Sequence, residues 1–117
     1  MNKWIVTGNL TRDPEKGTTQ TGVNWCRFTL AVRKRTHREG EPDSDFVRVT
    51  AWRGLGDTCF GYLKKGRKVM AVGTPSVSAW TDQRDGRPCA AMEMTAEEVE
   101  FLSPKKDGDP AAEDAAD

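Results

Sequence analysis

No stretch of the sequence is apolar for the roughly 20 residues a membrane-spanning helix needs, and the opening MNKWIVTGN lacks the long apolar region of a signal peptide. Both absences point to a cytoplasmic protein. Cysteine and histidine are scarce: Cys26, Cys59 and Cys89 are odd in number and far apart, no CxxC occurs, and His37 stands alone. These features argue against a disulfide scaffold and against a zinc site, and no metal or cofactor is expected. The 117 residues suffice for one domain with a modest hydrophobic core and a short tail.

The formal net charge of zero hides an uneven distribution. Residues 1–90 hold 16 basic and 9 acidic side chains, whereas residues 91–117 hold 2 and 9. A basic body with an acidic end suits a nucleic-acid binder whose tail repels or competes with the ligand, and it equally suits plain solubility.

The stretch Ser44 to Trp52, SDFVRVTAW, reads as a strand with two unlike faces. Side chains alternate along a strand, so Val47, Val49 and Ala51 share one side while Phe46, Arg48, Thr50 and Trp52 share the other. The first set is an ordinary core. The second combines two rings with a cation and a hydroxyl, the parts of a stacking platform for bases; a strand buried on both sides, with Arg48 snorkelling to water, fits the same residues. Val23 to Arg33 repeats the pattern, with Cys26, Phe28, Leu30 and Val32 on one side and Trp25, Arg27, Thr29, Ala31 and Arg33 on the other.

The remaining segments give the order. Lys3 to Leu10 reads as a first strand that bends at Gly8 and ends by Pro14, and GTTQTG over 17–22 as a polar hairpin turn. Lys34 to Asp43, without a hydrophobic residue, is a loop. Leu55, Cys59, Tyr62 and Leu63 recur at helical spacing over 54–65, with Asp57 near the start and Lys64, Lys65 and Gly66 at the end. Lys68 to Val72 is a fourth strand ending at Gly73 to Pro75, and Val77 to Thr81 pairs with Pro88 to Thr95 across Asp85-Gly86. Val99 to Leu102 closes the packed region. An all-β domain with one short helix follows, matching the OB-fold, a five-stranded Greek-key barrel; an SH3-like barrel would not need the inserted helix. The domain is expected over residues 1–102 and a short, acidic, disordered tail over 103–117.

With NKWIVTGNLTRDPE, RFTLAV, DFVRVTAW, YLKKGRKV and AWTDQRDG in this order, the chain resembles the bacterial single-stranded DNA-binding proteins over nearly all of residues 1–102. The resemblance implies an OB-fold, sequence-tolerant binding of single-stranded DNA in replication, recombination or repair, nucleoid association, and assembly as a homotetramer in preference to a dimer. It places base-stacking rings at Phe46, Trp52 and Trp80. Phosphate contacts are expected at Arg27, Arg33, Lys34, Arg35, Arg48, Arg53 and Arg84, and a subunit contact at Lys3, Trp4 and Ile5. A stacking ring that some members carry at the end of the second strand is replaced here by Arg35, Thr36 and His37. Trp25 stands where the family commonly has an aliphatic residue, and packing is the favoured role. The tail AAEDAAD has acid without a bulky apolar anchor, so partner docking through it is not expected. A small OB-type nuclease would need clustered carboxylates around a metal, whereas Asp13, Asp45, Asp57, Asp82 and Asp85 are dispersed; no catalysis is expected. A protein-binding OB module with little DNA affinity is the other rival.

Overall fold

The structure, a computed structural model, describes residues 1–102, so the expected tail lies outside the described residues. The described residues form six strands and one helix: β1 (Trp4–Leu10), β2 (Glu15–Thr18), β3 (Asn24–Arg33), β4 (Ser44–Trp52), α1 (Arg53–Tyr62), β5 (Lys68–Thr81) and β6 (Pro88–Phe101). The sheet runs β1-β5-β6-β4-β3-β2, and an additional β1–β3 pairing closes it into a ring. β1 and β2 share one edge of β3: β2 covers Asn24 to Arg27, and β1 reaches only Leu30 and Ala31. All pairings are antiparallel except β4 with β6, which runs parallel from Val47↔Met92 to Thr50↔Thr95.

The ring encloses the side chains that alternation had set on one face of β3 and β4, together with inward residues of β5 and β6. Cys26, Phe28 and Leu30 from β3, Val47, Val49 and Ala51 from β4, Val69 and Ala71 from β5, and Met94 and Ala96 from β6 are all buried. Trp4, Val6, Val32 and Val99 pack against them from the margin. Helix α1 closes one end of this core with Gly56 and Cys59, both buried, followed by the buried Leu63.

Three local expectations are corrected. The 17–22 turn is shorter than expected, because Glu15 to Thr18 already pairs with β3 and only Thr19 to Gly22 turns, closed by hydrogen bonds from Gly22 N to Thr19 O (2.9 Å) and from Val23 N to Thr19 Oγ1 (3.0 Å). The helix begins at Arg53 with no side-chain cap, Asp57 lies in its middle, and it ends before Lys64. Instead of capping the helix, residues 64–67 form a turn tied to the end of β1: Gly66 N donates to Leu10 O (2.8 Å), Asn9 Nδ2 to Gly66 O (3.0 Å), and Lys65 N to Asp13 Oδ1 (2.9 Å).

The third correction concerns Gly73 to Pro75, which does not break a strand. β5 continues through it for 14 residues, with a register shift against β6 between Val72 and Gly73. A Cβ at Gly73 would lie 2.0 Å from the carbonyl oxygen of Thr95, so only glycine admits this approach. β1 ends its pairing at Trp4↔Gly73, leaving β5 a free edge beyond that point, where proline is tolerated. From Ser78↔Ala91 outward, beyond the last β4–β6 pair at Met92, β5 and β6 form a two-stranded arm that carries Trp80 toward its tip, and Asp82 O accepts from Gly86 N (2.8 Å) in the closing turn.

Candidate nucleic-acid interface

The register of β3 against β4 turns two separate sequence patterns into one surface. Trp25 lies opposite Trp52, Arg27 opposite Thr50, Thr29 opposite Arg48, Ala31 opposite Phe46 and Arg33 opposite Ser44. All are outward positions, because the intervening residues fill the core. Phe46 is 56% exposed and Trp52 39%, which rules out the reading of β4 as a strand buried on both sides. Their rings are separated along β4 by Arg48 and Thr50, so apolar faces alternate with cationic and hydroxyl groups on the outer side of the sheet. Trp80, 51% exposed, stands on the arm opposite Cys89.

Trp25 is half-buried. Its indole lies on the backbone of Gly17 so closely that a Cβ there would come within 2.3 Å of the ring. The Arg27 guanidinium carbon sits 4.9 Å from the Trp25 ring centroid, and Arg27 Nε lies 3.5 Å from Thr50 Oγ1. Trp25 thus packs on the hairpin with part of its ring exposed, and it holds a cation in the surface.

The candidate phosphate contacts differ in their partners. Arg48 Nη1 meets Glu93 Oε1 at 3.0 Å, Lys34 Nζ lies 3.6 Å from Asp45 Oδ1, and Arg84 Nε lies 3.9 Å from Asp82 Oδ1. Exposed pairs of this kind contribute about 0–1 kcal/mol, so a phosphate can displace the carboxylate. Arg33, Arg35 and Arg53 are exposed and make no carboxylate pair among the described residues. Arg53 has φ 59, the only left-handed non-glycine residue among those described, and it follows Trp52 directly at the strand-to-helix junction. Arg27 and Arg48 also line a polar recess of about 180 Å³ together with Arg12, Asp13, Glu15, Phe28 and Thr29.

At β1, the three residues expected at a subunit contact point to different sides. Ile5 is 70% exposed, Trp4 is half-buried against the core, and Lys3 pairs with Glu97 at 2.8 Å. That ion pair, by hydrogen bond and charge together, raises the Lys3 ammonium above its ordinary value and lowers the Glu97 carboxyl below its own.

Two residues of the surface escaped the reading of the sequence. Lys16 and Phe60 meet across β2 and α1, with Lys16 Nζ 4.5 Å from the Phe60 centroid. Phe60 falls off the Leu55–Cys59–Leu63 stripe, and an aromatic on the solvent side of a short helix was the available signal. Lys16 had none, since its strand is only four residues long.

A small closed sheet of this connectivity, with one helix across an end and an aromatic, cationic outer face, is an OB-fold of the class that takes oligonucleotides. Compared with family models, the chain matches the Single-strand binding protein family over residues 1–102. It is 40% identical over 108 residues to single-stranded DNA-binding protein 2 of Clostridium acetobutylicum, covering 92% of this chain and 80% of that protein. The single-stranded DNA-binding protein of Caldanaerobacter subterraneus subsp. tengcongensis is 39% identical over 106 residues, covering 90% and 70%. That of Staphylococcus aureus strain MRSA252 is 34% identical over 110 residues, covering 93% and 70%. The chain belongs to the single-strand binding protein family.

Proposed function

We propose that the protein binds and covers single-stranded DNA with little sequence preference, as a non-catalytic factor in replication, recombination or repair. The observation that carries this is the β3–β4 register, which sets Trp25 and Arg27 beside Trp52 and Thr50, with Phe46 farther along β4. Bases stack on Phe46, Trp52 and Trp80, and phosphates meet Arg27, Arg33, Lys34, Arg35, Arg48, Arg53 and Arg84. Every base has a π-face, so such a surface tolerates sequence; a duplex hides those faces and binds poorly. Membership of the family and the names of its relatives support the reading.

The proposed assembly is a homotetramer built through the outer face of β1, where the exposed Ile5 and the Lys3–Glu97 pair offer apolar and charged contacts and Trp4 supports the strand from beneath. Sedimentation should return four times the 13.0 kDa of one chain, and Ile5→Asp should lower that mass. No helix among the described residues is long and apolar enough to cross a membrane; a place on nucleoid DNA in the cytoplasm is part of the proposal.

Intrinsic tryptophan fluorescence titrated with poly(dT), beside a duplex of equal length, tests the central reading. Deep quenching by the single strand alone is expected. Absence of quenching from a folded protein would turn the surface into a protein-docking one.

A further inference from the structure

Beside the platform lies a cleft of about 420 Å³ between β2, the start of β3 and α1. Lys16, Trp25, Asp57 and Phe60 supply its chemistry. The volume is within the range that takes a small organic ligand. Its walls combine two aromatic rings with a cation, a carboxylate and the amide of Asn24, whereas a purely structural gap between a hairpin and a helix would need none of these at its mouth.

We infer that this cleft receives one nucleobase of the DNA strand as it leaves the platform past Trp52, stacked on Phe60 with its phosphate at Lys16. The inference rests on the single-strand reading given above. Continuity favours the single strand as the occupant: Trp25, which lines the cleft, is the cross-strand neighbour of Trp52, so a backbone tracking the β4 rings reaches the cleft without crossing the core. The Phe60 ring is 37% exposed, and its face already holds a cation, the Lys16 ammonium at 4.5 Å. A base sliding onto that face releases the ammonium to the adjoining phosphate, so one contact is exchanged for two. Asp57 accepts from a base N–H and repels phosphate, which orients the nucleotide base-first.

The test uses the full chain and two thymidine strands, one long enough to pass from the platform into the cleft and one that covers only the platform. Phe60→Ser should weaken binding of the long strand roughly 5- to 150-fold, the value of one lost stack, and leave the short strand unaffected. In the unmodified protein, 5-iodouracil placed along the long strand should photo-crosslink to the peptide carrying Phe60 or Trp25. If the single strand binds tightly, Phe60→Ser changes nothing and adducts form only around Phe46, Trp52 and Trp80, the cleft inference is overturned while the broader function stands. Failure of the unmodified protein to bind either strand would overturn both. Saturable binding of free thymidine monophosphate, lost in Phe60→Ser while the long strand is unaffected, would overturn it in favour of a nucleotide pocket.

Discussion

Arg53 shows how much one residue can carry. Its left-handed backbone costs a side chain with a Cβ about 1–2 kcal/mol, and the fold keeps it where β4 hands over to α1, next to Trp52. Arg53→Gly should therefore raise stability by about 1 kcal/mol in urea unfolding while weakening single-strand binding, with the salt slope falling by about 0.7 for the lost phosphate contact. The rings behave in the opposite way. Phe46→Ala, Trp52→Ala or Trp80→Ala should each lose about 1–3 kcal/mol of binding and leave that slope unchanged, because a stacked base releases no counterion. Titrations over a range of salt separate the two kinds of residue. At this scale the sequence was most legible: alternation set Phe46, Arg48 and Trp52 on one face of β4, and their exposure makes that face the outer one.

Elements were legible where their period was clean and illegible where one atom decided. β3 and β4 follow strict alternation, and both faces appear as read. The break expected at Gly73 to Pro75 rested on residues that usually end strands. Only the structure reveals that Gly73 is there to admit the Thr95 carbonyl and that Pro75 sits on a free edge. Gly73→Ala should destabilise the protein by about 2–3 kcal/mol, the cost of forcing a methyl group against backbone, read as a lower urea midpoint. β2 was missed because four residues are too few to show a period. The packing of α1 on β3 carries a pH signature. Burial pushes the Cys59 thiol up to about 12, with Cys26 adding to the shift, and burial pushes the Cys26 thiol up to about 11, with Asp57 adding to it. Both exceed the ordinary value of 9.0, so the folded chain holds these protons more firmly than the unfolded one. Stability is then level below about pH 9 and falls as pH rises toward 11 and 12. Urea unfolding across that window should show the fall, and Cys26→Ala with Cys59→Ala should flatten it.

For the whole molecule, the acidic end read from composition divides. Glu93, Glu97, Glu98 and Glu100 belong to β6, and two of them are paired, with Arg48 and with Lys3. The described part of that acidic segment thus sits within the sheet, where Glu93 pairs with a cation of the platform and Glu97 with the lysine that precedes β1. Glu93→Gln should free Arg48 and tighten binding of a single strand a few-fold at low salt, an effect that added salt erases. The closure of the ring is uneven as well: β1 pairs with β5 at six positions but with β3 at only two, Asn9↔Ala31 and Leu10↔Leu30. A belt whose buckle is this short unfastens there first. Amide hydrogens along the β1–β3 seam should exchange well before those between β5 and β6. With that buckle undone, β1 would still hang on β5 by six pairs, so the ring would open as a hinged flap and not come apart.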